Sequence, residues 1–226
     1  MRFASRWLEL RVLAILFGAA MALWVFIEVA ESVAEGETHA VDLALLLALR
    51  ADGSADPLGP RWLEQTARDV TALGSPTVLS LLVLATCVLL LLARRYRSAL
   101  LVFGATASGG IATRMMKLSF DRPRPEFVPQ DIYIATASFP SGHAMGSAVV
   151  YLTIAALLAR LIPGRRLKLY VLLVAATLSV LVGVSRVYLG VHWPSDVVAG
   201  WAAGAFWAIA WWLVAWIVDR RRSMPP

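Results

Sequence analysis

Thiol and imidazole groups are scarce in this chain: 226 residues carry one cysteine, Cys87, and three histidines. A lone cysteine forms no internal disulfide. Set inside the apolar run "TVLSLLVLATCVLLLLA", it has no neighbours with which to build a thiolate metal site, so it reads as lipid-facing or packing filler. Charge is sparse as well. Only 16% of residues are charged and 59% are hydrophobic, which exceeds the apolar share of soluble domains. Several apolar runs are about twenty residues long, enough to cross a ~30 Å hydrocarbon core. A soluble globular domain is thereby excluded, and an all-α integral membrane protein is expected, with residues 1–226 as a single domain.

The hydropathy pattern predicts six spans: Leu8 to Val29, Thr77 to Ala93, Ala99 to Met116, His143 to Ile162, Leu167 to Val184 and Pro194 to Val218. The first follows a basic N-terminus but is long and lacks a small-residue cleavage site, so it reads as a retained span rather than a signal peptide. With six spans, thirteen of the 21 basic residues fall on one side, at both termini and in the loops after the second and fourth spans. The positive-inside rule makes that side cytoplasmic. Its net charge is about +11 and that of the opposite side about −5, so the sequence pI of about 10.1 is a topology signal and not a nucleic-acid footprint. The outer side carries the long segment 28–75. In it "HAVDLALLLALR" is too short to span and is expected in the interface. "DGSADPLGP" reads as a turn-rich break, and "PRWLEQTARDVTALGS" as a helix opening at Pro60 and closing near Gly74.

Three span ends on the outer side hold an unusual set of groups: "KLSFDRPRP", "FPSGHAMGS" and "SRVYLGVHWPSD". Titratable groups at membrane depth are functional candidates by default. Lys117, Arg124 and Arg186 are cations on the side that the charge bias leaves acidic, and guanidinium groups grip phosphate oxygens bidentately. Ser141 offers a hydroxyl, and Gly142 lets backbone come close. Pro140 and Pro194 suit the first turns of helices whose free N–H groups would face an anion. His143 and His192 can serve as nucleophile and proton donor for phosphoryl transfer, with Asp196 four residues after His192 to hold one ring nitrogen. Three cations beside two histidines and one aspartate disfavour a zinc site. Arg114 and Arg122 read as ordinary interface charges, and His39 as a histidine without a partner. Most of the tryptophans, Trp193 among them, read as span or interface packing.

These segments resemble the type 2 phosphatidic acid phosphatase (PAP2) superfamily, whose pattern is K-x6-RP, then PSGH, then SR-x5-H-x3-D. The motifs occupy 117–196, and "RDVTALGS", from Arg68 to Ser75, resembles a stretch common in bacterial members. The resemblance implies a PAP2-type helical core and roles for individual residues. His192 would attack phosphorus and form a phosphohistidine, Asp196 would orient it, and His143 would protonate the leaving group. Lys117, Arg124, Ser141, Gly142 and Arg186 would hold the phosphate. No metal and no cofactor are implied. The haloperoxidase branch of the superfamily is soluble, and the spans argue against it. The expected function is a lipid phosphate or diphosphate phosphatase of the plasma membrane, with both termini cytoplasmic and the site outside. The expected partner is a lipid phosphate substrate: undecaprenyl diphosphate, phosphatidylglycerol phosphate or phosphatidic acid. A lipid phosphotransferase using the same phosphohistidine is one alternative. A non-catalytic lipid-phosphate binder or transporter is the other, though binding alone has no need of His143, His192 and Asp196.

Overall fold

The computed structural model describes residues 2–51, 54, 56–126 and 136–222. Part of the expected turn-rich break (52, 53 and 55) lies outside the described residues, as does the middle of the motif-bearing segment (127–135). The described residues form eight helices and no strand: α1 (Arg2–Ala34), α2 (His39–Leu47), α3 (Arg61–Ala72), α4 (Pro76–Leu92), α5 (Tyr96–Phe120), α6 (Gly142–Leu161), α7 (Arg165–Tyr188) and α8 (Pro194–Arg222).

Five of these, α1 and α5 to α8, are long and apolar enough to cross a membrane. α4 passes the same test only together with α3, across a 45° bend, which brings the candidate spans to as many as six. The bend has a local cause. Ser75 adopts an extended backbone (φ −68°, ψ 147°) and its side chain accepts from Val78 N–H, so it caps α4, and Pro76 follows at the position where proline is tolerated. α1 continues past the expected end at Val29 to Ala34 and carries Glu31 on the helix; Gly36, at φ 78°, turns the chain after it. Large apolar side chains on α4, α5 and α7 face outward, including Leu84, Leu92, Leu100, Phe103, Leu118 and Leu173. Such a contiguous apolar surface suits hydrocarbon as its solvent.

α6 is the hub, packed against α5, α7 and α8, while α1 covers α8 and α4 lies on α5. Between membrane helices, small residues permit the close approach that packing requires. Gly200 and Gly204, one turn apart on α8, meet α6 in this way. A Cβ at Gly200 would stand 2.8 Å from Ser141 O, and one at Gly204 would stand 2.6 Å from Ala148 Cβ. The start of α6, which carries part of the site, is thus set by backbone contact with α8.

After α1, α2 buries Leu46 and Asp42 and leaves Val41, Leu45 and Leu47 exposed, the pattern of an amphipathic interfacial helix. α3 rests on α7. Arg50, buried after α2, donates to Val187 O (3.2 Å) and Tyr188 O (2.7 Å), the last carbonyls of α7. The segment between α1 and α4 is therefore fastened to the loop that carries His192.

Candidate active site

His192 lies in the short loop between α7 and α8 and is 2% exposed. Its Nδ1 faces Asp196 Oδ2 at 3.2 Å, across the first turn of α8. Its Nε2 is 3.1 Å from Arg124 Nη1. A guanidinium can only donate, so Nε2 accepts and Nδ1 carries the proton, which Asp196 receives. The nitrogen that keeps its lone pair is the one on the cation side. Burial holds this imidazole well below its ordinary value, at about 3; Asp196 pulls it up, while Arg124 and Arg186 push it down. At neutral pH the ring is uncharged, with its lone pair on Nε2.

Asp196 is fully buried and saturated with donors. Ser138 Oγ and Trp193 N–H (3.0 Å) donate to Oδ2, and Arg122 Nη1 donates to Oδ1 at 2.7 Å. Arg122 is therefore not the interface charge that its position suggested. Its other arm pairs with Asp42 of α2 at 2.8 Å, and its side chain is 11% exposed. Asp42 in turn accepts from Ser195 N–H (2.8 Å) and Ser195 Oγ at the start of α8. The free N–H groups expected at that helix end thus already hold an anion, and it belongs to the protein.

The start of α6 is different. Ser141 caps it, with Oγ 3.5 Å from Ala144 N, which leaves the N–H groups of Gly142 and His143 without intrahelical partners. Pro140 precedes the cap instead of entering the first turn. Gly142 and His143 line a cavity of about 970 Å³ that Lys117, Arg124, Arg186 and His192 also line. Ser141 and Asp196 do not line it, and both are fully buried behind its wall. Lys117 Nζ is held by Ala137 O (2.6 Å), and Arg124 by Thr136 O (3.0 Å) and Val191 O (2.7 Å). Arg186 donates to Thr71 Oγ1 at 3.2 Å, whereas its buried Nε has no partner among the described residues. A buried, unsatisfied guanidinium N–H costs free energy that an anion in the cavity would recover. Gly74, from the stretch set apart as common in bacterial members, packs where a Cβ would meet Val182 Cγ1 at 2.3 Å and His143 Cβ at 3.3 Å.

Below this polar mouth the same cavity continues between α4 and α5, lined by Val83, Leu84, Cys87 and Phe103 among others. From Lys117 to Phe103 along α5 is about 21 Å at 1.5 Å per residue, which is most of a ~30 Å hydrocarbon core. The site therefore joins cationic groups and two histidines at one end to an apolar trough at the other.

The family model described as "PAP2 superfamily" matches residues 98–221. The chain belongs to the PAP2 superfamily. This PAP2 chain is 34% identical, over 144 residues, to phosphatidylglycerophosphatase B of Bacillus subtilis (strain 168), covering 63% of this chain and 70% of that protein. It is 41% identical to an undecaprenyl-diphosphatase of Sulfolobus acidocaldarius over 73 residues, 30% of this chain and 29% of that protein. Among solved structures it resembles the transmembrane PAP2-type phosphatidylglycerolphosphate phosphatase from Bacillus subtilis, with a TM-score of 0.80 and 27% identity over 92% of this chain and 100% of that one. It is a multi-pass membrane phosphatase.

The structure brings Lys117, Arg124, Gly142, His143, Arg186 and His192 to one cavity wall, with Ser141 and Asp196 directly behind. Arg122, which by sequence is an interface charge, and Asp42 and Ser138, which belong to none of the assigned roles, join the site through Asp196 and Ser195. His39 and Trp193, assigned no role by sequence, lie together beside it. His39 packs edge-on against Trp193 (5.4 Å), whose Nε1 donates to Pro123 O at 3.0 Å.

Proposed function

We propose that this phosphatase removes the terminal phosphate of a membrane lipid phosphate or diphosphate through a phosphohistidine on His192. One observation carries the reading: His192 presents an uncharged Nε2 to a cavity it shares with His143 and three cations, while Asp196 holds the proton on Nδ1. The terminal phosphate sits against the N–H groups that open α6, beside Lys117, Arg124 and Arg186. Arg124 Nη1 turns from Nε2 to a phosphate oxygen, which frees the lone pair. Nε2 then attacks phosphorus, the bond to the leaving oxygen breaks, and His143, which enters the step as an imidazolium carrying a proton brought in by the bound terminal phosphate, gives that oxygen its proton. In the second step His143 takes a proton from water, the water oxygen attacks phosphorus, and the N–P bond breaks to release inorganic phosphate. Asp196 keeps Nδ1–H in place throughout, as the orienting carboxylate does in a catalytic triad. Ser141 acts from behind the wall by fixing the first turn of α6.

The three cations supply the charge stabilisation that a divalent ion would otherwise provide, so the reaction is proposed to need no metal. The trough between α4 and α5 takes the lipid chain, which enters sideways from the bilayer. The relatives are named for phosphatidylglycerophosphate and undecaprenyl diphosphate, and those two lipids, with phosphatidic acid, are the proposed substrate set. The basic bias of the loops supports a topology with both termini in the cytoplasm and the site on the outer side of the plasma membrane.

The test is phosphate release by the purified protein in detergent across those three lipids, with and without EDTA. Release from none of them would reject the reading. Loss in EDTA that one divalent ion restores would reject the metal-free route. Appearance of the phosphate on an added lipid alcohol rather than in solution would make the enzyme a transferase.

A further inference from the structure

One cation on the wall of this cavity has no role in the mechanism above. Arg114 lies three residues before Lys117 on α5, so it shares that face of the helix about 4.5 Å further into the membrane. It lines the same cavity as Lys117, Arg124 and Arg186. Lys117 is tied to Ala137 O, Arg124 to Thr136 and Val191, and Arg186 to Thr71. Arg114, by contrast, has neither a hydrogen bond nor an ion pair among the described residues. The space one turn deeper is open: a Cβ at Gly110 would meet nothing within 4 Å. Across the trough, Ser80 of α4 also faces the cavity without a hydrogen-bond partner among the described residues.

We infer that Arg114 binds a second phosphate of the substrate, the one that stays with the lipid when the terminal phosphate is cleaved. The inference rests on the phosphatase reading and names the substrate class within it: lipids with two phosphorus centres on one headgroup. A cation inside a span without a counter-ion is costly, and an anion delivered by the substrate offsets that cost in the bound state. One helical turn also matches the chemistry. In a diphosphate the two phosphorus atoms share one oxygen, and in a phosphatidylglycerol phosphate a glycerol separates them. A long guanidinium about 4.5 Å below Lys117 reaches either arrangement. A lipid with a single phosphate leaves Arg114 without its partner, so this residue discriminates between the classes. Ser80 offers a hydroxyl to the same group.

The test compares substrates within one sample, so the fraction of folded protein cancels. kcat/KM is measured for farnesyl diphosphate against farnesyl phosphate, and for phosphatidylglycerol phosphate against phosphatidic acid. The wild type and the variants Arg114→Gln and Arg114→Lys are used. Arg114→Gln is expected to lower the two-phosphate to one-phosphate ratio about tenfold in at least one pair, mainly through KM, and Arg114→Lys to keep most of it. The pair that responds shows whether the second phosphate is a diphosphate neighbour or a diester. A ratio that stays within threefold in both pairs overturns the inference and leaves Arg114 as a side chain that reaches up to bulk headgroups. A wild type inactive on all four lipids would instead defeat the phosphatase reading itself.

Discussion

Replacing Arg122 by glutamine separates two accounts of that residue. As an exposed interface charge it would contribute no more than about 0.5 kcal/mol. In the structure it neutralises two buried carboxylates, Asp42 and Asp196, whose side chains are 3% and 0% exposed. Removing one partner of a buried ion pair costs about 3–5 kcal/mol, because the remaining charge is left desolvated. Each carboxylate here keeps other donors. Asp42 retains Ser195 N–H and Oγ, and Asp196 retains Ser138, Trp193 and His192. The lower end, about 3 kcal/mol, is therefore the expected loss. For a chain of this size that is roughly 6–12 °C in the thermal midpoint. The assay is thermal unfolding in one fixed detergent, followed by helical signal, with phosphate release measured on the same samples. Asp42→Asn in combination supplies the cycle: the double variant should be about 1–3 kcal/mol more stable than the sum of the single losses, because contacting charges couple. A midpoint within about 2 °C of wild type, with no coupling to Asp42, would refute the bridging role.

Other outcomes follow from the same geometry. His192→Ala should abolish phosphate release from every substrate, whereas His143→Ala should lose about 10²–10⁴-fold on a lipid phosphate and much less on p-nitrophenyl phosphate, whose leaving group needs no proton; the reverse pattern would exchange the two roles. Gly142→Ala puts its Cβ 3.5 Å from Lys117 Cε, an ordinary contact, so the fold should hold while phosphate loses its seat and KM rises about tenfold at an unchanged thermal midpoint. The His192 ring stays neutral in the folded state down to about pH 3, whereas the unfolded ring takes a proton below about 6.5. The unfolded state then binds more protons between those values, so the stabilisation is full above about pH 6.5 and is lost as the pH falls toward 3, with a smaller acid loss in His192→Gln as the check. With Cys87 replaced by alanine, a cysteine at the exposed Glu37 should react with an impermeant thiol reagent in intact cells, and labelling only after lysis would reverse the topology.

What the sequence reveals of this site depends on how each residue works. Lys117, Arg124, Arg186 and the two histidines are polar groups at the ends of apolar runs, where their cost is itself the signal. His192 and Asp196 are also four residues apart across a helix start, a spacing that makes their contact foreseeable. Asp42 carries a weaker version of the same signal, as the one acid inside an apolar interfacial stretch. It went unread because its partner, Arg122, is 80 residues away, and nothing local ties the two together. Ser138 is similar: a serine two residues before a proline reads as loop chemistry until the fold lays it against Asp196, 58 residues further on. Five of the six expected spans were legible from hydropathy alone. The bend between α3 and α4 was hidden because Gly74 and Ser75 read equally as a helix end or a loop. The contact of Gly200 and Gly204 with α6 depends on which face of α8 turns inward, and a helix apolar on every side does not declare that.

The two helix starts at the site show how one structural device serves two purposes. A helix N-terminus attracts an anion through its unpaired N–H groups and its dipole. At α8 that place is filled by Asp42, a fixed carboxylate from the interfacial helix α2 that bonds Ser195 and grips Arg122. Arg122 in turn holds Asp196, and Asp196 orients His192. The anchorage of α2 is thereby linked to the tautomer of His192 through buried, charge-assisted bonds. At α6 the corresponding place faces the cavity, and the cap is a neutral serine that leaves the first two N–H groups unbonded within the helix. An aspartate at position 141 would cap α6 at least as well. It would also put a negative charge where the proposed phosphate binds, and the cations gathered around that place would then attend to the protein's own carboxylate. A serine stabilises the turn without that competition. On this argument Ser141→Asp should lose substrate binding by more than its loss in thermal midpoint explains, whereas Ser141→Gly, which also caps adequately, should lose little of either. Equal and severe loss in both variants would show that the serine hydroxyl itself reaches the substrate.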